Sequence, residues 1–294
     1  MPRLTIMMAA RNAEETVAKA VSSTLRAAPA DTELVVCDDA STDRTIEKIE
    51  SLADRRVRVI RHAASQGSGA ARQTVLDSTD SEFVANMDAD DISLPWRFRR
   101  AIPALEGHDA VFSGAVAFGT GYPARPSLTF SLPAQEMPTI LAIHNPLFHS
   151  SMLARRAAVE AVGGYQRLRR GQDYDLWLRM SANRSKLRRV ATPMIGYRFS
   201  RTQISGSTDY LALMTAQPEL QSSYWANLNL VLGSRIAARL DAHADPAAIR
   251  DAVHQLARSF RPATRARYRR VLNRATVPAL PHPDQRHPRR AVPT

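Results

Sequence analysis

Leu4 to Ala10 is a short apolar run bounded by charge, and its length suits a buried strand rather than an isolated helix. Val17, Ala20, Val21, Thr24 and Leu25 then recur at helical spacing, and Asn12 with Glu15 three residues on reads as a capping pair at the start of that helix. The alternation repeats. Glu33 to Cys37 predicts a second strand, Ile46, Ile49 and Leu52 mark a second helix face, and Val57 to Ile60 predicts a third strand. The segment beyond Gly67 and Gly69, with Ala70, Ala71, Val75 and Leu76, predicts another helix, and Glu82 to Met87 a fourth strand. Strands and helices alternating in this way imply an α/β fold with a mainly parallel central sheet covered by helices on both faces. In such sheets the ligand crevice lies beyond the carboxyl ends of the strands. Two acidic turns fall there, one at Asp38 and Asp39 and one at Asp88, Asp90 and Asp91.

Further along, Asp109 to Phe118 reads as a strand, and Gly119, Gly121, Pro123, Pro126, Pro133 and Pro138 then break regular structure into a loop that shapes substrate access. Asn145 to Leu153 and Ala157 to Val162 resume ordered patterning, and Gln172 to Met180 predicts a helix with Tyr174, Leu176, Trp177 and Met180 as its apolar surface. After Ser205 the character changes. Leu211, Leu213, Met214, Leu220, Trp225, Leu228, Leu232 and Ile236 suggest amphipathic helices, and Ile249, Val253, Leu256 and Phe260 one more. These shifts divide the chain into a catalytic domain over residues 1–205, a helical C-terminal extension over 206–273 and a flexible basic tail over 274–294.

With 294 residues and 44% hydrophobic residues the chain can bury a full core, which excludes general disorder. The formal net charge of +12 favours anionic partners, although ten arginines crowd into the last 37 residues, so much of that charge says little about the core. Cys37 is the only cysteine, which excludes an intrachain disulfide and a multi-cysteine zinc site. From Met1 the sequence enters the first strand pattern directly, and no apolar stretch approaches a membrane span, so the expectation is a cytoplasmic protein, in peripheral contact at most with the inner face of the membrane. The C-terminal helices are candidates for that contact or for a homodimer interface. A nucleic-acid-binding or scaffold role would suit the basic end, but the arginines are not interleaved with aromatic stacking residues and no recognition helix or zinc spacing accompanies them.

The chemistry sits in the acidic turns. Asp88, Asp90 and Asp91 place three carboxylates at the end of a predicted strand, and Mn²⁺ or Mg²⁺ would share such oxygens with a diphosphate. A solvated acidic turn or helix cap is the competing reading of that cluster taken alone. Asp38 and Asp39 could orient a nucleoside through base or ribose, or simply form a turn with Ser41 and Asp43. Gly67-Ser68-Gly69 lacks the lysine of an ATP phosphate loop.

In order along the chain, VVCDDASTDRT, QGSGAARQTVL, FVANMDADDISLP, HNPLFHSSMLARRAAV, GGY, GQDYDLWLR and GYRFSRTQIS resemble successive motifs of the family 2 glycosyltransferases, over about residues 3 to 205. That resemblance implies a GT-A nucleotide-diphospho-sugar transferase fold with C-terminal helices added. It also implies an inverting transfer from a nucleotide-sugar donor, UDP-sugar above dTDP- or GDP-sugar, to a glycan, lipid-linked or small-molecule hydroxyl acceptor. By the same resemblance Asp39 reads the base with Asp38 beside it, and Arg72 contacts the nucleotide or its phosphate. Asp88 approaches the ribose and the metal, Asp90 is the main metal position with Asp91 the alternative, and Asp173 is the catalytic base. His149 and Arg198 are secondary positions at the phosphate or acceptor side, and Ala9 and Arg11 depart from the usual residues at the first junction. Gln172 stands where the family commonly has a glutamate before the base. The glutamine- and arginine-rich motif of the processive membrane relatives is missing, which implies single-sugar transfer. A sugar-nucleotide-forming nucleotidyltransferase is the other enzyme reading, weakened by the lack of a glycine-rich N-terminal phosphate signature.

Overall fold

The structure is a computed structural model that describes residues 2–119, 122–127, 130–168, 170–199, 216–233, 255, 258, 260–262 and 264–266. Four strands, β1 (Leu4–Ala10), β2 (Thr32–Asp38), β3 (Val57–Arg61) and β4 (Phe83–Asn86), pair in parallel in the order β3-β2-β1-β4. β1, β2 and β4 are buried on both faces because side chains alternate, with Ile6, Met8, Leu34 and Val36 in one core cluster and Met7, Val35 and Cys37 in the other, whereas β3 at the sheet edge is half-buried. Helices α1 (Val17–Ala27), α2 (Thr45–Glu50) and α4 (Arg97–Ala104) cover the first face, and α3 (Ser68–Asp77) covers the second.

Beyond β4 the sheet is mixed. A three-residue strand, β8 (Leu153–Arg155), pairs antiparallel with both β4 and β6 (Ala110–Gly119), and β9 (Leu187–Phe199) runs parallel to β6. The two-residue β5 (Ile92–Ser93) closes that edge antiparallel to β9, and β7 (Tyr122–Ser127) forms a hairpin with β6 inside the region expected to be irregular loop. Parallel pairing therefore governs the β3-β2-β1-β4 half, as the pattern predicted, and the extension combines short antiparallel pairs with the long parallel pair of β6 and β9. Gly196 is a close approach in it: a Cβ there would meet Phe118 at 3.0 Å and Ile92 at 3.3 Å, so a larger residue requires those side chains to give way where β5, β6 and β9 meet.

The second face continues with α5 (Met137–Leu141), α6 (Arg156–Glu160), α7 (Gln172–Ala182) and α8 (Pro218–Leu232). Leu220, Tyr224, Trp225, Leu228 and Leu232 of α8, with Phe260, lie in the same core cluster as Met7 and Val35. The boundary expected at residue 205 thus separates segments of chain and not separate cores. Asp175 is fully buried in α7 and accepts from Arg179 at 2.5 Å and from the Ser223 hydroxyl of α8 at 2.7 Å. Leu211, Leu213, Met214, Ile236, Ile249, Val253, Leu256 and the whole tail 274–294 fall outside the described residues. Among the described residues no helix is long and apolar enough to cross a membrane.

One local expectation is corrected. Asn12 and Glu15 do not cap α1: Thr16 precedes the helix, Glu15 is exposed, and Asn12 at φ 48° stitches two loops. Its Oδ1 accepts from the Thr42 amide at 2.9 Å, and its own amide donates to the Ser41 hydroxyl. The side chain serves tertiary pairing between the β1 and β2 loops, which outcompetes a local cap.

Replacing Asp175 with Ala leaves the Arg179 guanidinium in a buried place without its carboxylate. The expected loss is about 3 kcal/mol of unfolding free energy, read from the urea midpoint; an unchanged midpoint would show that α8 is held by its apolar contacts alone.

Candidate functional site

Because β1, β2, β3 and β4 are parallel, their carboxyl ends share one edge, and the loops that leave them bring the two acidic turns to a common crevice. Asp39 follows β2 and is almost wholly buried. Its Oδ1 accepts from the Gln66 amide and from His62 Nδ1, both at 2.8 Å, and its Oδ2 from the Ser65 hydroxyl at 2.7 Å and the Gly67 amide at 2.9 Å. Burial acts to raise its pKa, but these donors outweigh burial and hold the carboxyl at about 2. Asp39 therefore spends its acceptor capacity on folding residues 62–67 over the crevice, where Gly67 takes φ +92° to begin α3.

Asp38 is different. Its Oδ2 accepts from the Ser41 amide at 3.1 Å, while its Oδ1 is buried without a hydrogen-bond partner. Arg11 is exposed and donates to the Ser65 hydroxyl at 2.9 Å, next to half-buried Ala9. Cys37, pushed up to about 12 by burial and the nearby Asp39 and Asp38, is an inert thiol packed against His62.

The second turn follows β4. The Arg72 guanidinium, buried in α3, donates from Nη2 to Asp88 Oδ1 at 2.5 Å and from Nη1 to the Ser68 carbonyl, leaving its Nε–H buried and unpartnered. Burial pushes the Asp88 pKa up, but Arg72 beside it prevails and holds the carboxyl below its usual range. Asp90 lacks such a partner. Burial first and Asp88 second raise its pKa to about 6, and apart from its own amide no donor among the described residues reaches its carboxylate. Asp91 is enclosed, accepting from the Ser150 hydroxyl at 2.5 Å and the Arg198 amide at 2.8 Å, and its pKa is raised well above the ordinary value by burial, Asp88 and Asp90.

Arg198 reaches this place because β5 clamps β9 immediately after the acidic turn. Its Nε donates to the Asp90 carbonyl at 2.8 Å, and its guanidinium lies over the Phe118 ring at 4.7 Å. Beneath the cluster, Arg97 of α4 is fully buried and donates to the Asn86 carbonyl. Burial lowers its pKa to about 9, with Asp91 and Asp88 pulling the other way, so it is charged at neutral pH.

Asp173, the second residue of α7, stands on the same sheet face as α3, with Oδ2 accepting from Asn145 Nδ2 at 3.0 Å. Burial, and then Asp88, raise its pKa, opposed by the Tyr174 amide and Arg72. The electrostatic reach of Asp88 and Arg72 to Asp173 places these groups in one crevice. Gln172 donates to the Ser68 hydroxyl at 2.8 Å and ties the starts of α7 and α3. His149 shares a hydrogen bond of 3.0 Å with the Tyr165 hydroxyl and stacks edgewise on Trp177. Burial and Arg72 push its pKa down to about 3, so it brings shape and a neutral hydrogen bond to the site and no charge.

The donor set fits a hard divalent cation. Among the described residues no three His, Cys, Asp or Glu side chains form a ready-made cage. Asp90, which has no cationic partner of its own, and Asp88, kept ionised by Arg72, supply two carboxylates, the arrangement Mg²⁺ or Mn²⁺ uses when phosphate oxygens and water complete its shell. Asp91 already has both oxygens engaged by protein donors. Arg97, Asn145, Ser150 and His62 were missed by sequence reasoning. Only Asn145 and Ser150 carried a signal, lying inside the HNPLFHSSM segment.

This parallel half-sheet with its mixed extension and acidic crevice is the GT-A α/β architecture. The solved structure of S. aureus TarS residues 1–349 in complex with UDP-GlcNAc superposes with a TM-score of 0.62 at 15% identity, covering 92% of this chain and 88% of that one. Residues 5–163 match the model described as Glycosyl transferase family 2, and the chain belongs to that family. EpsE of Bacillus subtilis (strain 168) is 30% identical over 187 residues, 60% of this chain and 66% of that protein. The Escherichia coli UDP-Glc:alpha-D-GlcNAc-diphosphoundecaprenol beta-1,3-glucosyltransferase WfgD is 37% identical over 89 residues, 30% of this chain and 35% of that enzyme. The chain thus spans just under two thirds of the first of these relatives and about a third of the second.

The low pKa of Asp39 makes a pH prediction. A carboxyl whose folded pKa lies below the ordinary 3.8 adds stability above that value and loses it as pH falls toward about 2. Protection of the Gln66 and Gly67 amides, their exchange rates taken relative to the intrinsic rate at each pH, should hold down to about pH 4 and fall below it. In Asp39→Ala the two amides should exchange fast at neutral pH; protection equal to wild type would remove Asp39 as the anchor of this loop.

Proposed function

We propose that this protein is an inverting, non-processive glycosyltransferase that moves a sugar from a nucleoside-diphosphate donor to an acceptor hydroxyl. The observation that carries the reading is the pair of unlike carboxyl environments in one crevice: Asp88 held ionised by Arg72, and Asp173 at the start of α7 raised by burial. One suits diphosphate binding; the other suits proton transfer.

In this reading the base of the donor lies between the loops after β1, β2 and β3. Asp38 offers its open oxygen there, Asp39 holds the 62–67 loop, and Ala9 and Arg11 form the outer rim. Arg72 directs its unused Nε–H at the phosphates, and Arg198 faces them from β9. Asp90 and Asp88 would hold Mn²⁺ or Mg²⁺, which would supply positive charge at the leaving diphosphate. Asp173 takes the proton of the acceptor hydroxyl as that oxygen bonds to the anomeric carbon and the bond to the diphosphate oxygen breaks. A single displacement of this kind inverts configuration and needs no covalent sugar intermediate. A UDP-sugar is favoured as donor, and a lipid-linked glycan as acceptor, by the name of the E. coli relative. Residues 1–205 with α8 packed on their core constitute the catalytic unit.

Asp173→Asn should fold, bind nucleotide as wild type does, and lose roughly 100- to 10,000-fold in transfer rate. Wild-type transfer should fall on the acid side at a pH above 3.8, since the base must be ionised and its pKa is raised. A folded Asp173→Asn enzyme with unimpaired transfer would sink the assignment.

Thermal shifts with UDP, GDP, dTDP and CMP, each with and without Mn²⁺, should be largest for UDP with the metal. Asp90→Asn should keep the metal-free shift and lose the increment that Mn²⁺ adds; the same increment in the variant would remove Asp90 from the metal site.

A further inference from the structure

The crevice holds its proposed base with one neutral amide, and the surroundings of that amide are unusually determinate. Asn145 Oδ1 accepts from the Leu147 amide at 3.1 Å, so the oxygen end of the side chain is fixed by a backbone donor and the NH₂ end must face Asp173. The following residue is fixed as well, since the carbonyl of Pro146 accepts from fully buried Arg189 of β9 at 2.6 Å. Asn145 is thus gripped from its own loop and, through Pro146, from the sheet.

An amide NH₂ can only donate. It donates to Oδ2 of Asp173; the other donors to this carboxyl among the described residues are the backbone amides at the start of α7 and no further side chain, so Oδ1 keeps a lone pair for an incoming hydroxyl. We infer that Asn145 is the positioning residue of the acceptor side: it presents Asp173 Oδ1 to the acceptor hydroxyl and favours the ionised form of that carboxyl. The inference rests on the reading of Asp173 as base. The other influences on the charge state of Asp173 are known: burial and Asp88 after β4 oppose ionisation, the Tyr174 amide and Arg72 of α3 favour it, and the nearby Tyr165 hydroxyl, itself shifted further from ionising by burial, is neutral. Asn145 is the one side chain in direct contact.

The substitution that isolates this contact is Asn145→Asp. It keeps an oxygen for the Leu147 amide, and hence the loop, while replacing the donor to Asp173 with a second acid. Asn145→Leu is the uncharged comparison of similar size. The titration of Asp173 is read directly from its carboxyl carbon by NMR, assigned by the signal lost in Asp173→Asn, with no substrate present. Both Asn145 variants should titrate Asp173 at a higher pH than wild type, Asn145→Asp furthest. In transfer assays with UDP-glucose, or the nucleotide sugar giving the largest thermal shift, the acid limb of kcat should move up by the same amount. At the plateau kcat should be about 10-fold lower or worse, with donor KM unchanged. If Asn145→Asp is folded and Asp173 titrates as in wild type, the inference is overturned. If instead Asp173→Asn retains full transfer, it is the reading of the base that fails, whatever the Asn145 variants do.

Discussion

Everything at the open edge of this sheet is arranged around one electrostatic constraint, that carboxyl groups collected in a half-buried crevice repel one another. Asp88, Asp90 and Asp91 follow a strand buried on both faces, so they cannot disperse into solvent. Each raises the proton affinity of its neighbours, and Asp90 and Asp91 both show it. Positive charge arrives from separate elements: Arg72 from α3, Arg97 from below in α4, Arg198 from the end of β9. The two-residue pairing of β5 with β9 fixes where Arg198 can be, and Gly196 leaves room for that pairing. Secondary structure that looks marginal by length is placed by the needs of the charge cluster.

That placement explains which parts of the fold were legible. Strands β1, β2 and β4 read clearly because burial on both faces writes apolar runs, β3 because Val57, Val59 and Ile60 gather in a short segment, and helices α1, α3 and α7 because one face of each repeats at helical spacing. In the extension only β6, read as Asp109 to Phe118, wrote such a signal. Strand β9 contains Arg188, Arg189, Thr192, Pro193 and Arg198, and its register with β6 shifts near Gly114, so neither alternation nor a long apolar run marks it. Strands β8 and β5 have three and two residues and exist only through partners distant in sequence. The hairpin strand β7 carries two prolines, which read as loop and are tolerated because it pairs on one side with β6.

The site divides along the same line. Carboxylates at strand ends are visible in sequence, and although each acidic turn alone also reads as an ordinary turn or cap, two of them at one sheet edge mark the crevice. Their controllers do not. Ser150 meets Asp91 across 59 residues and Asn145 meets Asp173 across 28, and neither residue type is unusual where it stands. Arg97, between Trp96 and Phe98, reads as an ordinary surface cation and is fully buried. Local periodicity carries no information about such pairings, because they are made by topology.

Asp39 and Asp90 show what that topology decides. Both follow parallel strands at the same edge, and both are largely removed from water. One is held at about 2 by four donors from the loop it organises; the other, with a like charge beside it and no donor beyond its own amide, rises to about 6. A carboxylate whose lone pairs are filled by backbone amides has already been neutralised by the fold and has little left to offer a ligand. One that is short of donors gains most from an added cation, because the cation removes the repulsion and the desolvation penalty together. The spare negative charge of the crevice therefore lies on the side of Asp88 and Asp90, and the loop side is electrostatically settled before any ligand arrives. A diphosphate can be accommodated beside those carboxylates only together with positive charge, part of it built in as Arg72 and the rest brought with the ligand.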